Sequence, residues 1–573
     1  MHKLIQFLNA TLEADGLPGP PCLAVPELAK TGRALSTSPQ VGSSVDPRTC
    51  GPGVQRAFLD LQQIRSPESI ETPLAENEGH MERGLYRSLY QINTRAFLTE
   101  LSRRFGRRAT LDDIADSELD RLAALGFDWV WFLSVWQTGQ AGQRISRSNP
   151  EWRKEFQETL PDLTEEDIAG SGFAITGYRV HDQLGGNAAL LRLRERLQKR
   201  GLRLMLDFVP NHTALDHPWV EDRPEYYVRG TKMDLEREPR NYARVKRVSG
   251  DLVFAHGRDP YFPGWPDTLQ LNYGNPATQE AMTAELLKIA ALCDGVRCDM
   301  AMLVLPEVFQ RTWGITAPPF WPQATRRVRE RVAGFCFMAE VYWDLEWTLQ
   351  QQGFDYTYDK RLYDRLRSGQ ARPVREHLSA GLDYQNKLAR FLENHDEPRA
   401  AATFVPAVHE AAAAAITFFS PGLRFFHQGQ FEGCKRRVSP HLVRAPEEPV
   451  DQSLKQFYDR LLGVLREPVL RAGKWQMLEC VSAWEGNWTW DCFLAFAWQG
   501  LDDACWLVTV NYAPNQSQCY VRLQFAELAG SQWRLQDHMT QMAYVRDGND
   551  LQSRGLYQDV PAWNVSAFSI TRN

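Results

Sequence analysis

A repeating alternation of short apolar runs and helical patterns begins near residue 86 and limits the possible folds more than any other feature of the chain. Each apolar run has the length of a buried strand, and the helical pattern after it has the length of a crossover helix. This alternation is typical of a parallel sheet covered by helices. Eight runs, the number that closes a (β/α)8 barrel, predict strands at 89–93, 129–135, 202–208, 295–299, 335–340, 353–358, 388–393 and 422–427.

Glycine, proline and asparagine mark where helices begin and end between these strands. Gly126 and Gly201 each follow a helical pattern, so we expect left-handed residues that end those helices. Asn275 and Pro276 precede a long pattern that continues to Ala291, which predicts a capped helix start with proline in the first turn.

The sequence outside the alternation predicts the remaining domains. Residues 1–85 are rich in Gly, Pro and Ser without sustained periodicity, so we expect a poorly structured extension. The barrel is predicted over 86–473, with a subdomain inserted after strand 3 at about 213–273 and another long mouth connection at 137–175. Alternating strand patterns over 474–573 predict an all-β sandwich at the C-terminal end, so the fold class is α/β with a TIM barrel.

Charge and hydropathy exclude several classes of partner. The net charge is -6 and the basic residues are scattered, so we expect neither nucleic acid nor a membrane surface as a partner. The apolar run near Met1 is shorter than a signal-peptide core, which predicts a cytoplasmic location. None of the ten cysteines shows the paired spacing of a zinc site, so reduced thiols are expected. The oligomeric state is not specified by the sequence.

Four carboxylates follow or end predicted strands: Asp207, Asp299, Glu340 and Asp396. The C-terminal ends of barrel strands meet at one face, where barrel enzymes carry their catalytic groups. A single acid at a strand end is more often structural than catalytic. Four acids at one face predict a carboxylate cluster with a chemical role.

The neighbours of these acids suggest which chemistry they serve. Arg297 lies two residues before Asp299 and points the same way from its strand, so its guanidinium can keep that carboxylate ionised. Glu340 ends the next strand, and neighbouring strands lie about 4.8 Å apart. Retaining glycosidases use a carboxylate nucleophile and a carboxylic acid separated by about 5 Å, so this pair predicts glycoside cleavage with retention.

Four ordered motifs resemble those of the α-amylase family, glycoside hydrolase family 13. They read Asp207-Phe-Val-Pro-Asn-His212, Gly295-Val-Arg-Cys-Asp299, Ala339-Glu340 and Asn394-His-Asp396. The resemblance covers the chain from about residue 86 onwards, and it implies that Asp299 is the nucleophile and Glu340 the general acid and base. It further implies that Asp396 binds sugar hydroxyls and stabilises the oxocarbenium-like transition state.

The same resemblance assigns roles to residues around the acids. Arg297 would orient Asp299 with Asp207 as its structural partner. His212 and His395 would donate hydrogen bonds to the reacting sugar, and Tyr178 would stack on it. Arg399, three residues after Asp396, would orient Asp396 or the substrate.

Several positions depart from the family pattern and leave the substrate open. Met302 and Leu303 replace a Lys-His pair that binds glucan in endo-acting members, and Arg179 replaces an aspartate of exo-acting members. Asn211 matches a calcium ligand of many amylases, but Gln270 stands where an aspartate is common. We therefore expect no metal and no other cofactor, since calcium takes six to eight oxygens including carboxylates.

These observations predict a retaining α-glycosidase that acts on α-glucosidic bonds of glucans or oligosaccharides. One alternative is a glucanotransferase or phosphorylase, which would pass the same glycosyl-enzyme intermediate to a sugar hydroxyl or to phosphate. A remote alternative is a catalytically inactive carbohydrate-binding protein with the same fold. Loss of one catalytic acid would be its mark, and all three acids are present.

Overall fold

The computed structural model describes residues 85–500, 504–525 and 527–573. The extension predicted over 1–85 therefore lies, apart from Leu85, outside the described residues. Among the described helices, none is long and apolar enough to cross a membrane.

Eight parallel strands close into a barrel, and each lies within or beside one of the eight predicted runs. They are β1 Ser88–Asn93, β2 Trp129–Leu133, β3 Arg203–Phe208, β4 Gly295–Cys298, β5 Cys336–Ala339, β6 Tyr356–Tyr358, β7 Leu388–Arg390 and β8 Leu423–His427. Each strand pairs with its sequence neighbours, and β8 pairs with β1. The strands are almost wholly buried, because side chains fill the barrel interior and helices cover its outside.

The helices around the barrel and in its loops begin and end at clear sequence signals. Asn275 accepts the backbone N–H of Ala277 ahead of a helix with proline in its first turn, as predicted. Gly126 and Gly201 have φ of 88° and 74°, which confirms the predicted left-handed positions.

The α-helices are Thr94–Phe105, Asp116–Ala124, Gln140–Ser148, Pro150–Thr159, Gly186–Gln198, Trp219–Asp222, Lys232–Arg237, Pro276–Ala290, Pro306–Trp313, Trp321–Arg331, Glu346–Gln351, Lys360–Arg367, Ala371–Leu378, Leu382–Gln385, Ala400–Thr403, Ala407–Phe419, Gln452–Leu465, Pro468–Ala472 and Gly548–Ser553. Short 3₁₀ turns span Leu111–Asp113, Glu165–Asp167, Asp182–Leu184, Pro224–Tyr226, Ala301–Val304 and Thr489–Cys492.

Small antiparallel sheets stand over the barrel mouth. Between β3 and β4, a three-stranded sheet forms the inserted subdomain from Arg229–Gly230, Tyr242–Val245 and Leu252–Ala255. At its base His212–Ala214 pairs with Thr268–Gln270. After β2, Trp136–Thr138 pairs with Ile175–Val180, so the stacking residue predicted from sequence, Tyr178, lies on a strand beside the mouth.

The C-terminal part consists of two antiparallel sheets. The larger contains Lys474–Met477, Phe493–Gln499, Cys505–Asn511, Val565–Arg572, Gln532–Asp537 and Ala543–Asp547, and the smaller contains Cys480–Val481, Ser517–Val521 and Leu556–Val560. The fold class predicted from sequence is thus confirmed: a TIM barrel, an insertion after strand 3 and a C-terminal all-β part.

Candidate active site

One buried arginine connects three of the four predicted carboxylates at the C-terminal ends of the strands. Arg297 is fully buried on β4, and its Nη1 donates to Asp299 Oδ1 at 2.6 Å. Its Nη2 lies 2.7 Å from Glu340 Oε2 and 3.9 Å from Asp396 Oδ2. Asp299 and Glu340 thus bind different nitrogens of one guanidinium and are neighbours in the site.

The surroundings of Arg297 hold it in place and keep it charged. Its guanidinium carbon lies 5.5 Å from the Trp131 ring, and its Nε donates to the Tyr358 hydroxyl at 3.4 Å. Burial alone would lower the pKa of Arg297, but Glu340, Tyr358 and Asp299 more than offset this and raise it well above its ordinary value. The arginine is therefore a permanent cation beneath the site.

Glu340 is buried, with donors on both of its oxygens. Met300 N–H donates to Oε2 at 2.7 Å, and the Tyr342 hydroxyl donates to Oε1 at 2.9 Å. Burial raises the pKa of Glu340 to about 8, although Arg297 opposes the shift. A carboxyl group with this pKa retains a proton at neutral pH, as a general acid requires.

Residues with positive φ stand one residue after Asp299 and three and four residues after Glu340. Met300 follows Asp299 with φ of 43°, and this conformation directs its N–H toward Glu340. Trp343 and Asp344 have φ of 63° and 61°. Bulky residues rarely adopt such backbone, and where they do the strain is often associated with function.

Asp396 is more accessible than the other two acids and lies beside His395. The Asp396 side chain is 30% exposed, and its Oδ2 lies 3.0 Å from His395 Nε2. Gln91 Nε2 donates to His395 Nδ1 at 2.9 Å, so the imidazole proton remains on the nitrogen that faces Asp396. Burial lowers the pKa of His395 to about 4, so the ring is neutral at neutral pH.

Tyr178 and His212 lie beside this group. The Tyr178 hydroxyl donates to Val209 O at 3.0 Å and accepts from Val209 N–H at 2.9 Å, which fixes the half-buried ring. His212 is buried, its ring centroid 5.1 Å from that of Trp265, and burial lowers its pKa to about 4. Both rings are rigid and uncharged.

Two supporting residues make hydrogen bonds that the sequence did not predict. Asp207 accepts Trp131 Nε1–H at 3.1 Å and Ser134 N–H at 2.8 Å. Burial raises the pKa of Asp207 to about 7, and the charge of Arg297 on the neighbouring strand opposes this shift.

Arg399 connects loop segments around the site. Its guanidinium donates to Glu393 Oε1 at 2.5 Å and to Gln428 O at 2.7 Å, and its Nε donates to Arg436 O at 3.2 Å. A role of Arg399 in orienting Asp396 or the substrate stays a prediction.

Sequence reasoning missed several residues of this centre. Gln91 is a polar residue in a fully buried strand, a signal that could have identified it. Phe173 stacks on His395 with ring centroids 5.4 Å apart and lies 5.2 Å from the Arg297 guanidinium carbon. Nothing in its local sequence indicates this, because the contact depends on a long loop. Tyr342 and Met300 were missed because their contacts with Glu340 depend on the backbone conformation just after β5 and β4.

The positions that depart from the family pattern lie away from the acids. Met302 and Leu303 are 0% and 3% exposed, so their side chains belong to the core rather than to the mouth. Arg179 forms an ion pair with Asp182 at 2.6 Å, in which both side chains are more than half exposed.

The oxygens that could hold calcium converge on an amide nitrogen. Gln270 Nε2 donates to Asn211 Oδ1, Asn211 O and Leu271 O at 2.9, 3.0 and 3.1 Å. These distances fit N–H···O hydrogen bonds. No group of three His, Cys, Asp or Glu among the described residues is arranged to hold a metal.

A family model and two related proteins match parts of the chain. The family model "Alpha amylase, catalytic domain" matches residues 91–475. An α-amylase of Haloarcula japonica is 24% identical over 358 residues, which cover 61% of this chain and 44% of that protein. An α-1,4-glucan:maltose-1-phosphate maltosyltransferase of Salinibacter ruber is 31% identical over 149 residues, 25% of this chain and 21% of that protein. The chain thus spans less than half the length of either relative.

A solved structure shows the same fold. The maltogenic α-amylase AmyB of Thermotoga neapolitana superposes with a TM-score of 0.59 at 18% identity, covering 84% of this chain and 98% of that one.

Proposed function

The chain belongs to the α-amylase family, and from this premise we propose that it is a retaining α-glycoside hydrolase that cleaves α-glucosidic bonds in glucans or oligosaccharides. The observation that carries the proposal is the Arg297 guanidinium, which binds Asp299 and Glu340 with separate nitrogens. It holds the Asp299 carboxyl group beside Glu340, whose pKa is raised to about 8, and double displacement needs a carboxylate nucleophile and an acid so arranged.

In the first step, Asp299 attacks the anomeric carbon while Glu340 protonates the glycosidic oxygen. A bond forms between the Asp299 carboxylate and the sugar, and the bond to the leaving group breaks. The neighbouring Arg297 donates from Nη1 to Asp299 Oδ1 at 2.6 Å and so orients the carboxylate for this attack.

In the second step, Glu340 removes a proton from water as the water oxygen attacks the anomeric carbon. The ester to Asp299 breaks, Glu340 regains its proton, and the sugar leaves with its original configuration. Asp396 and His395, whose Oδ2 and Nε2 atoms lie 3.0 Å apart, would bind sugar hydroxyls and stabilise positive charge on the ring. The half-buried Tyr178 ring offers a rigid surface for stacking.

The decisive variant is Asp299→Asn, which keeps the shape of the side chain and removes its charge. We expect kcat/KM on an α-glucoside to fall by roughly 10³-fold or more with the circular dichroism spectrum unchanged. Asp120→Asn is the matched control, since Asp120 forms an exposed ion pair with Arg200 on an outer helix. Normal turnover by a folded Asp299→Asn protein would disprove the mechanism.

Transfer of the intermediate is the second candidate function, and the similarity to the maltosyltransferase supports it. Products should be analysed with maltooligosaccharides alone and with an added acceptor sugar or inorganic phosphate. Hydrolysis predicts free sugars in the same yield under all conditions. Transfer predicts longer oligosaccharides or a sugar phosphate at the expense of free sugar.

We also propose that activity requires no calcium. The nitrogen of Gln270 takes the central position among the three oxygens that would otherwise face a cation.

A further inference from the structure

The connections after β2 and β8 are joined beside the site, and we call residues 137–173 and 428–444 together the lateral wall. Ile168 and Leu442 form an antiparallel bridge between the two connections. Around this bridge, apolar side chains from both connections form a separate small core: Phe156, Leu160, Ile168, Val438 and Leu442.

Ion pairs also link the two connections of the lateral wall. Arg444 donates to both carboxylate oxygens of Asp167 at 2.8 Å and binds Asp162 at 3.0 Å. A bidentate arginine fixes direction as well as distance, and Arg444 is largely buried. The lateral wall is therefore one packed unit rather than two independent loops.

The barrel topology places this unit opposite the acid Glu340. In the closed barrel β1 lies between β2 and β8, and β5 is the strand across from β1. Arg95, just after β1, donates to Gly170 O at 2.8 Å and so holds the wall from below. Any side chain on Gly172 would collide with Ser134 at the end of β2, so glycine allows this close approach.

The wall reaches the catalytic centre through two side chains. The partly exposed Phe173 ring stacks on His395 and lies 5.2 Å from the guanidinium carbon of Arg297, which itself binds Asp299. Arg437 donates to His395 O at 3.4 Å and forms an ion pair with Glu155 of the other connection. Phe173 and Arg437 thus both contact His395, and Phe173 also lies against the arginine that binds the nucleophile.

Reaction chemistry fixes which part of the substrate meets the wall. Glu340 must reach the glycosidic oxygen, so the leaving group lies on the β5 side. There the exposed Tyr261 and the half-buried Trp343 contact each other with ring centroids 5.1 Å apart. The sugar that forms the intermediate consequently has its non-reducing end directed toward the wall.

We propose that the lateral wall closes the site after one sugar residue, so that the enzyme removes single α-glycosyl units from non-reducing ends. This inference rests on the proposed function, which it deepens by naming the substrate class: short oligosaccharides and small α-glycosides with a free terminal sugar. Phe173 and Arg437 are the residues that determine this specificity.

The test compares p-nitrophenyl α-maltoheptaoside with the same compound carrying a 4,6-O-ethylidene group on its terminal glucose. The initial products are separated by chromatography. We expect glucose and the hexaoside from the free compound, and turnover of the blocked compound slower by at least about 100-fold.

The possible outcomes are distinct. Internal fragments from either compound would overturn the inference and leave the proposed glycosidase function intact. No turnover of either compound, nor of p-nitrophenyl α-glucoside, would overturn both.

A variant extends the test to the wall itself. The measured quantity is the ratio of the turnover of the blocked compound to that of the unblocked compound. Phe173→Ala combined with Arg437→Ala should raise this ratio by about tenfold or more. Arg192→Ala removes an exposed ion pair outside the wall and should leave this ratio unchanged. An unchanged ratio in the folded double variant would refute the roles of Phe173 and Arg437.

Discussion

Nη2 of Arg297 lies 2.7 Å from Oε2 of Glu340, within a buried group in which Nη1 also binds Asp299. A single planar guanidinium thus sets the relative position of the proposed nucleophile and the proposed acid. Lysine offers one point charge and cannot reproduce two directed contacts.

We therefore expect Arg297→Lys to lower kcat/KM by roughly 10²-fold or more, since one of the two carboxylates loses its partner. Steady-state kinetics on an aryl α-glucoside measure the effect, with circular dichroism as the control for folding. Arg297→Met should also destabilise the protein by about 3–5 kcal/mol, because buried carboxylates are left without a cation. A lysine variant with near-normal activity would show that the shared guanidinium is unnecessary.

The pH dependence of activity should reflect the raised pKa of Glu340. Burial raises this pKa to about 8, so the group holds the proton that it must donate up to that pH and loses it above. We expect kcat/KM to fall as the pH rises through about 8. A descending limb near pH 5, where an unperturbed carboxyl group titrates, would contradict this assignment.

Glu340→Gln provides the matched measurement. It should remove the alkaline limb and slow substrates with poor leaving groups more than those with good ones, since good leaving groups depart without a proton. Equal losses for both kinds of substrate would argue against a general acid at this position.

The sequence predicted all eight barrel strands because each is a short buried run between turn signals. It also identified the acids that meet at Arg297, since a position at a strand end determines where its side chain lies. The hydrogen-bond partners of Asp207 and Arg399 were not predicted. Their hydrogen bonds depend on Ser134, Glu393 and Gln428, whose positions follow from loop packing rather than from strand register.

Calcium should have no effect on the stability of the native protein. Gln270 Nε2 binds three oxygens at 2.9–3.1 Å, so we expect the same melting temperature in the presence of EDTA and of added calcium. Gln270→Glu would place a carboxylate among those oxygens and should lower the melting temperature, with recovery on adding calcium but not sodium. A native protein that EDTA destabilises would contradict the proposed role of the amide.

Two arginines of the helix Ala371–Leu378 bind Asp491 at the start of the C-terminal sheets, and they should differ in importance. Arg372 is 66% exposed and binds only the Asp491 carboxylate, so Arg372→Met should cost at most about 1 kcal/mol. Arg375 also donates to Asp491 O and Phe493 O at 2.7 and 2.8 Å. Arg375→Met should therefore cost about 2 kcal/mol or more, because it leaves these carbonyls without a donor.

Urea denaturation at neutral pH measures the loss in free energy of unfolding for each variant. Repeating the measurement at acidic pH gives a second check. Burial would raise the pKa of Asp491, but Arg372 and Arg375 outweigh it and the pKa is lowered. A lowered folded-state pKa stabilises the protein above the ordinary pKa of an aspartate, and this contribution is lost as the pH falls through the folded value. The destabilisation by Arg375→Met should shrink in that acidic range, while the part due to the backbone carbonyls persists. Equal destabilisation by the two variants at neutral pH would show that the carbonyl contacts of Arg375 contribute little to holding the C-terminal sheets against the barrel.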